Sequence, residues 1–392
     1  MIRHIMNCVA GLAGVMALMG AVCLQAQQEE SLTIQKWLDR TRPIPIHISG
    51  FSGEVDQTLR FDLEVMGCEI VEAEKAVYSV SGSFNGRLQG FLFGKNRQQL
   101  LGKAYQGGTP RLQAHAFADD IIERITDFKG IARTRIAFKA ATSHGFEVFV
   151  ADYDGHNAQQ LTTDGSNASS PCWWPGHNTL FYGSTKGGFQ SIYSHVLSTG
   201  YRKLITPYAG SSFSPAVSSN GRVAMILSKG GRPNLYVADA DGSNLKQLTF
   251  TKDGGESCPC WSPDGQTICY VSTTKGVTAL YTIPASGGTP QRLPTIGAAR
   301  PTEPDWSPDG QTIVFTALGG GFQICTVPAT GGTATFLCEG TDPSWAPNSR
   351  NVIFVKNQAR GSRSLSLLDV YTKRVKDCAL SVSNASQPSW GR

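Results

Sequence analysis

The heptapeptide Pro259-Cys260-Trp261-Ser262-Pro263-Asp264-Gly265 contains a Pro-x-Trp core that recurs along the chain at a nearly constant interval, and this repeat is the strongest indication of the architecture. The third residues of the six copies occupy positions 173, 217, 261, 306, 345 and 390, so the successive steps are 44, 44, 45, 39 and 45 residues. The second copy carries Val217 in place of Trp. A repeat of about 40 to 45 residues that contains short strands is typical of β-propeller blades.

Each repeat is predicted to contain four strands. In the copy quoted above, the first strand ends at the Pro-Asp-Gly turn. In such a turn Pro fixes φ, Asp accepts hydrogen bonds from nearby backbone amides, and Gly adopts positive φ. The following strands are predicted over residues 267–272, 279–284 and 291–293. We therefore interpret Asp264, and Asp309 in the next copy, as turn residues rather than catalytic carboxylates.

The number of copies predicts how the propeller closes. Five full units start at prolines, whereas residues 135–162 supply three strands without a Pro-x-Trp strand. We expect residues 387–391 to add the missing strand to this first blade, because pairing there removes an exposed sheet edge. The prediction is an all-β six-bladed propeller with WD40-like repeats over residues 131–392. The full units start at Pro171, Pro215, Pro259, Pro304 and Pro343.

Residues 27–130 lack the repeat and predict a small α+β domain. Strands are predicted over residues 43–49, 77–84, 90–93 and 98–105 from their β-branched and aromatic content. Apolar residues at helical spacing predict a helix that ends before Gly67, and a second helix over residues 111–128 with Asp119 on its solvent face.

Residues 1–26 have the pattern of a signal peptide. Arg3 and His4 precede an almost uncharged apolar stretch over residues 5–24, and Ala26 offers a cleavage point. The stretch is also long enough to remain as an uncleaved membrane anchor. We expect cleavage and export to the periplasm, with no membrane span in the mature chain.

Charge and cysteine content narrow the class of protein. The net charge is only +5, and the Lys and Arg residues form no basic run, so neither nucleic acid nor an anionic membrane surface is expected as a partner. Eight cysteines follow residue 26. Disulfides are possible in an exported chain, but we favour buried thiols, because free Cys packs as a small apolar side chain.

The chain shows no catalytic, metal or cofactor motif. Gly50-Phe51-Ser52-Gly53 breaks the Gly-x-Ser-x-Gly hydrolase pattern at its last position, and no His-Glu-x-x-His occurs. Cys258 and Cys260 form the one metal-like pair, without the second pair that a zinc site needs. Five tryptophans of the repeat are interpreted as core between blades. They are Trp173, Trp261, Trp306, Trp345 and Trp390.

Three segments resemble the TolB family, the propeller component of the bacterial Tol-Pal system. They are residues 118–120, residues 128–137 and the sequence Val-Ala-Asp-Tyr-Asp-Gly-His-Asn at residues 150–157. The resemblance implies a non-catalytic periplasmic scaffold that binds the peptidoglycan-associated lipoprotein Pal and inner-membrane Tol proteins. It also implies a role in outer-membrane integrity and envelope constriction at cell division. Residues 31–42 would be a mobile segment whose ordering is coupled to partner binding.

The resemblance also suggests where Pal binds. The connections that precede each Pro-x-Trp are expected at one face around the channel mouth, and the corresponding connections of the family contact Pal. An alternative remains open: a periplasmic enzyme or carbohydrate-binding propeller that uses the central channel. The candidate partner-binding residues are Ser211, Ser214, Ser257, Cys258, Thr302, Glu303 and Asp342.

Overall fold

A computed structural model describes residues 39–358 and 361–392, and residues 45–392 form one compact unit. The predicted signal peptide and most of the predicted mobile segment lie outside the described residues. The fold class predicted from the sequence is confirmed: a small region of strands and two helices precedes six four-stranded sheets.

The N-terminal region is a five-stranded sheet with strand order β2-β1-β3-β4-β5 and two helices. Strands β1 and β3 pair in parallel, whereas β3, β4 and β5 pair antiparallel. Phe117 of the second helix packs over Gly90 of β4, where a larger side chain would clash. The strands are β1 (Ile44–Ser49), β2 (Cys68–Ile70), β3 (Tyr78–Phe84), β4 (Leu88–Phe93) and β5 (Gln99–Tyr105), the helices are α1 (Gly53–Val65) and α2 (Pro110–Ile125), and 3-10 turns span Ala73–Lys75 and Lys95–Arg97.

Helix α2 is shorter than the predicted helix over residues 111–128. Thr109 caps its start, since its side chain accepts a hydrogen bond from the Leu112 amide at 3.2 Å. The helix ends at Ile125 because Thr126 is extended, and its hydroxyl donates to the Ile122 carbonyl at 2.7 Å. Phe128 consequently leaves the helix axis and packs against the Tyr371 ring, with centroids 6.1 Å apart.

The prediction that Asp119 faces solvent is wrong. Its side chain is buried, and its carboxylate accepts from the Ala132 amide at 2.7 Å and from Arg133 Nε at 2.8 Å. Helical periodicity counted this position as polar, but the chain that follows α2 folds back over it and covers it.

The propeller has six antiparallel four-stranded blades, with a short parallel pair, β21 and β25, beside the fifth. Blade 1 contains β6 (Arg135–Thr142), β7 (Gly145–Asp152) and β8 (Gln159–Gln160). Blade 2 contains β9 (Ala168–Trp173), β10 (Thr179–Gly187), β11 (Phe189–Val196) and β12 (Tyr201–Leu204). Blade 3 contains β13 (Ser212–Val217), β14 (Arg222–Leu227), β15 (Asn234–Asp239) and β16 (Lys246–Gln247).

Blade 4 contains β17 (Gly254–Trp261), β18 (Thr267–Thr274), β19 (Val277–Pro284) and β20 (Gln291–Leu293). Between it and the next blade lies β21 (Thr295–Ile296). Blade 5 contains β22 (Thr302–Trp306), β23 (Thr312–Leu318), β24 (Phe322–Pro328) and β26 (Thr335–Glu339), with β25 (Gly332–Thr333) before its last strand. Blade 6 contains β27 (Thr341–Trp345), β28 (Asn351–Asn357), β29 (Arg363–Asp369) and β30 (Val375–Asp377).

Blade 1 is completed by β31 (Ser386–Trp390), which is its innermost strand and pairs with β6. Trp390 lies opposite Ile136, and Ser389 lies opposite Ala137. The sequence placed this strand over residues 387–391. Each innermost strand contacts the innermost strands of both neighbouring blades, so the six blades form a closed ring.

The two ends of the propeller differ in what they carry. At one end, which we call the helix end, lie the turns between first and second strands and between third and fourth strands, counted outward from the channel. The helices α1 and α2 contact this end at blades 6 and 1. At the other, the open end, lie the hairpins between second and third strands and the connections between blades. The Pro-Asp-Gly turns belong to the helix end, where Asp264 accepts from the Ser262 hydroxyl at 2.5 Å and the Gln266 amide at 3.0 Å.

The eight cysteines of the described residues are free thiols. Cys68, Cys260, Cys269 and Cys325 are buried, and the others are partly buried. Burial raises the pKa of Cys68 and of Cys258 to about 12, so both remain protonated at neutral pH.

Candidate functional site

The innermost strand of every blade contains a bulge directly before its proline. We call these six residues the pre-proline set. All have positive φ, between 47° and 54°, although none is glycine. Pairing with the second strand of each blade shifts register at or next to this residue. Left-handed backbone is unfavourable for residues with a Cβ, so its repetition in all six blades identifies the bulge as part of the propeller frame. The set is Ser170, Ser214, Cys258, Glu303, Asp342 and Gln387.

Side chains of the pre-proline set connect neighbouring blades. The Asp342 amide donates to Glu303 Oε2 at 2.9 Å, and the Gln387 amide donates to Asp342 Oδ2 at 3.1 Å. The Ser170 amide donates in turn to Gln387 Oε1 at 2.9 Å. At these three bulges, the amide that leaves the sheet is satisfied by a side chain of the preceding blade.

A second layer of contacts follows the prolines. The Trp345 amide donates to Asp305 Oδ2 at 2.7 Å, and the Trp390 amide donates to the Ser344 hydroxyl at 3.2 Å. The six residues after the prolines, the post-proline set, line a cavity of about 230 Å³. They are Cys172, Ala216, Cys260, Asp305, Ser344 and Ser389.

Arg392 lies over this cavity from the helix end. Its guanidinium forms an ion pair with Asp305 and donates to the Trp306 carbonyl at 3.2 Å. The carboxylate of the post-proline set is therefore neutralised within the protein. This part of the channel holds a small, charge-balanced cavity.

Glu303 and Asp342 form a carboxylate pair in the pre-proline set. Burial and the neighbouring Glu303 raise the pKa of Asp342 to about 8, so the pair holds one proton at neutral pH. Glu303 Oε2 also accepts from the Thr316 hydroxyl at 2.7 Å. Because both carboxylates accept backbone amides of the next blade, they hold neighbouring blades together.

The sequence placed its seven candidate partner-binding residues in connecting loops, and for six of them this position is wrong. Six lie inside innermost strands, because the bulge lets the strand continue through the proline. Ser211 alone precedes its strand, and its amide donates to the Ser228 hydroxyl at 2.9 Å. A role in partner binding remains a prediction. The six are Ser214, Ser257, Cys258, Thr302, Glu303 and Asp342.

The five repeat tryptophans are buried between blades, at 2% to 8% exposure. Trp261 Nε1 donates to the Ala216 carbonyl of the preceding blade at 2.9 Å. Trp390 Nε1 donates to the Thr134 hydroxyl at 2.8 Å. Packing buries all five rings, and four of the indole N–H groups donate hydrogen bonds within the described residues, whereas Trp345 Nε1 has no partner there.

The open end carries exposed apolar side chains that the sequence analysis did not single out. We call five of them the apolar rim; each is 49% to 72% exposed, and they come from blades 2 to 5. A signal for two of them exists in the sequence, where an aromatic residue directly follows a Gly-Gly pair. Large aromatic side chains are enriched at protein interfaces. The rim is Phe189, Phe250, Val277, Ile296 and Phe322.

Among the helices of residues 39–358 and 361–392, none is long and apolar enough to cross a membrane.

Residues 122–392 match the family described as "TolB beta propeller domain". Among curated proteins, the chain is 32% identical over 175 residues to "Protein TolB homolog" of Chlorobium chlorochromatii. That match covers 44% of this chain and 39% of the relative. This chain is also 33% identical over 182 residues to "Tol-Pal system protein TolB" of Bordetella pertussis, a match that covers 45% of this chain and 41% of the relative. The matches thus span about two fifths of these relatives.

Among solved structures, the chain is similar to TolB from Acinetobacter baumannii, with a TM-score of 0.80 at 20% identity. The match covers 89% of this chain and 97% of that one. A chain of the nidogen/laminin complex matches with a TM-score of 0.55 at 11% identity, covering 66% of this chain and 98% of that one. At these identities the similarity concerns the fold.

Proposed function

The chain belongs to the TolB β-propeller family, and we propose that it is a non-catalytic scaffold of the Tol-Pal system. In this proposal it binds the peptidoglycan-associated lipoprotein Pal and inner-membrane Tol proteins. It thereby supports outer-membrane integrity and envelope constriction at cell division. The relative in Bordetella pertussis carries the name of that system.

The proposal assigns a location and a division of the chain. Residues 1–26 are a signal peptide removed on export to the periplasm, residues 27–130 are the N-terminal domain, and residues 131–392 are the propeller. Residues 31–42 order or detach according to which partner is bound. The apolar stretch and cleavage pattern near the start of the sequence support export.

The apolar rim is the observation that carries the Pal assignment. Phe189 and Phe250 are 63% and 72% exposed at the open end, away from α1 and α2. Large aromatic side chains are enriched at the centres of protein interfaces. A folded protein partner covers such a rim, whereas a small ligand would use the channel. We therefore assign the open end to Pal.

The enzyme or carbohydrate-binding alternative draws support from the Glu303 and Asp342 carboxylates. General acid–base catalysis needs such groups within reach of a substrate. Here both accept hydrogen bonds from backbone amides of the next blade. Their engagement favours the scaffold over catalysis in the channel.

Pull-down from an envelope extract tests the scaffold. The chain from residue 27 is expected to recover a lipoprotein, and the chain from residue 43 is expected to lose or change its recovery of inner-membrane Tol proteins. If neither form recovers a lipoprotein or a Tol protein, the scaffold proposal fails.

Substitutions at the rim test the assigned surface. Phe189→Asp together with Phe322→Asp is expected to weaken lipoprotein binding at least about tenfold, because buried aromatic anchors contribute about 2 kcal/mol or more each. Tyr201→Asp is the matched control, since Tyr201 is 62% exposed but lies at the helix end of blade 2. Titration calorimetry with the recovered lipoprotein distinguishes them. Equal affinity for both variants would remove the open end as the binding surface.

A further inference from the structure

A buried polar cluster lies where α1 and α2 meet blade 1. We call it the interface cluster. It consists of Asp62 from α1, Arg111 and His115 from α2, and Tyr153 and Asp154 from the turn after β7. Asp62, His115 and Asp154 are exposed by 1% or less. Charged groups are rarely buried to this extent unless they are paired.

Both ring nitrogens of His115 face carboxylate oxygens. Nδ1 lies 2.8 Å from Asp62 Oδ2, and Nε2 lies 3.5 Å from Asp154 Oδ2. The other oxygen of Asp62 accepts from the Tyr153 hydroxyl at 2.5 Å. Asp154 Oδ2 also accepts from Arg111 Nη2 at 2.6 Å and Nε at 3.1 Å. A neutral imidazole has one N–H, so it could satisfy only one of the two carboxylates.

The charges of the cluster balance only when it holds one additional proton. With His115 protonated on both nitrogens, two carboxylates face one guanidinium and one imidazolium. If the proton moves to Asp62, the sum is unchanged. Without it, a bare ring nitrogen faces Asp154, and one negative charge is buried without compensation, which is strongly unfavourable.

A metal ion fits the cluster less well than a proton. Asp62, His115 and Asp154 could each offer a ligand atom, all within 4.8 Å of one another. However, the Arg111 guanidinium lies 2.6 Å from the Asp154 oxygen that such an ion would need. A divalent cation there would meet a fixed positive charge.

We propose that Asp62, His115 and Asp154 form a proton-binding site whose occupancy holds α1 and α2 on blade 1. Loss of the proton leaves a buried negative charge, and separating the helices from the turn of Tyr153 and Asp154 hydrates that charge. The N-terminal region therefore detaches more readily at alkaline pH. This inference concerns the contact inside the chain and does not depend on the identity of any partner.

The pKa shifts agree with this direction. Burial alone lowers the pKa of His115, but the Asp62 and Asp154 carboxylates outweigh it and raise that pKa above its ordinary 6.5. A raised histidine pKa stabilises the contact fully below about pH 6.5, and this contribution is lost as the pH rises through the value in the folded protein. Burial likewise raises the pKa of Asp62, which keeps the shared proton in the pair.

The titration of Asp154 sets the lower end of the pH range in which the contact between the helices and blade 1 is stable. Burial raises its pKa, but Arg111 outweighs burial, so the pKa lies below the ordinary 3.8. Its contribution is present above that ordinary value and is lost as the pH falls through the lowered one. The contact is therefore strongest between the titrations of Asp154 and His115.

Four further titratable groups face the cluster. Asp119 of α2 is bound to Arg133 at 2.8 Å, and burial keeps Cys378 of blade 6 protonated by raising its pKa. Glu54 of α1 lies 3.8 Å from Arg111, and His156 of the blade 1 turn lies 3.3 Å from Asp154; these two are about half exposed. The two partly exposed groups, Glu54 and His156, are accessible to solvent, whereas His115 and Asp62 are fully buried.

Two measurements on the intact chain test the site. Nitrogen-15 NMR of His115 at about pH 6 is expected to show both ring nitrogens bonded to hydrogen or in exchange with Asp62. Hydrogen exchange, corrected for its intrinsic pH dependence, is then followed from about pH 6 to about pH 9. Protection of α1 and α2 is expected to fall by up to about tenfold per pH unit above the pKa of the site, while the strands of blade 5 keep theirs.

A matched pair of variants isolates the proton. The double variant Asp62→Asn with His115→Gln is expected to make protection of the helices independent of pH, because it removes both groups that share the proton, whereas His156→Gln, in the same turn as Asp154, keeps the wild-type profile. Protection that does not change with pH in the wild type overturns the proposal. So does a profile that survives in the double variant, or an NMR spectrum of a singly protonated ring with no exchange to Asp62 at about pH 6.

Discussion

Asp342 combines a left-handed backbone, with φ of 51°, and a carboxyl group whose pKa is raised to about 8. The same residue accepts the Gln387 amide and so joins blade 6 to blade 1. Backbone strain and a charged group are therefore placed where a hydrogen bond between blades is made. The bond offsets part of their cost.

Replacing this carboxylate by an amide should stabilise the protein at alkaline pH. A carboxyl pKa above its ordinary 3.8 means that the contribution of Asp342 to stability falls as the pH rises from that value to about 8. Asp342→Asn keeps an acceptor for the Gln387 amide and removes the repulsion from Glu303. We expect a gain of at least about 1 kcal/mol near pH 8 and a shallower pH dependence, measured by urea unfolding.

Asp264→Asn provides the control for this experiment. The pKa of Asp264 is lowered by the Ser262 hydroxyl and the Gln266 amide, and its side chain is exposed. Its substitution should therefore bring no gain at alkaline pH. Destabilisation of Asp342→Asn at both about pH 5 and about pH 8 would show that charge is not what matters there.

Turn residues were predictable at this scale, but the left-handed bulges were not. Asp264 and Asp309 lie where Pro-Asp-Gly places them. The residue before a proline is ordinarily extended, so nothing local predicts the positive φ of Cys258 or Glu303. At Glu303, Asp342 and Gln387, this conformation accompanies a side chain that accepts an amide of the next blade.

Among the elements, β31 has the largest consequence for the ring. Its Trp390 is 2% exposed and stacks beside Tyr153 at 6.1 Å, and its backbone covers the edge of β6. Without β31, blade 1 would keep three strands and an open edge toward the channel.

Removal of this strand should open the propeller. A chain that ends at Ala385 is expected to lose protease resistance and to melt at lower temperature than the full chain. Trp390→Ala should show an intermediate loss of about 3 to 5 kcal/mol, because it keeps the strand but empties its core position. Limited proteolysis and calorimetry give the order of the three chains. Equal resistance of the shortest and the full chain would contradict closure by β31.

Most strands could be predicted because β-branched runs alternate with strong turn residues. The predicted strands over residues 267–272 and 291–293 correspond to β18 and β20. Strand β2 was missed, since three residues after Gly67 are too few to show periodicity. The end of α2 was missed because Thr126 stops the helix through a hydrogen bond that apolar spacing does not report.

In the whole molecule, α1 meets the propeller at two blades. Besides the interface cluster at blade 1, Gly67 lies directly against Arg350 of blade 6, with φ of 97°. Arg350 pairs with Asp369 at 2.7 Å, and its guanidinium packs on the Phe128 ring at 5.3 Å. This contact anchors the end of α1.

Gly67→Ala should disturb that anchor. A Cβ at this position would lie 2.0 Å from Arg350 Nη2, so the guanidinium must move away from Asp369. We expect destabilisation of about 3 kcal/mol or more, because a buried ion pair is broken in addition to backbone strain. Gly86→Ala is the control, since its φ is 90° but no atom lies within 4 Å of the added Cβ. Similar thermal shifts for both variants would rule out the contact as the cause.

The sequence predicted both regions but not how they join. Asp62, His115 and Asp154 are far apart in the chain and belong to no motif that the repeat defines. Asp119 of α2 was assigned to solvent because a single helix shows only its own pattern, and burial by the chain that follows leaves no trace in it. For the same reason the apolar rim became visible only once the hairpins of several blades were placed at one end.

Closure by β31 also orders events in time. Trp390 donates a hydrogen bond to Thr134, which is 256 residues away in the chain. The sheet that contains β6 is therefore complete only after almost the entire propeller has been synthesised. Contacts between such distant residues slow folding, and an unpaired β6 edge can meanwhile join a neighbouring chain. Intermolecular pairing of unfinished chains through the β6 edge is therefore the expected route to aggregation.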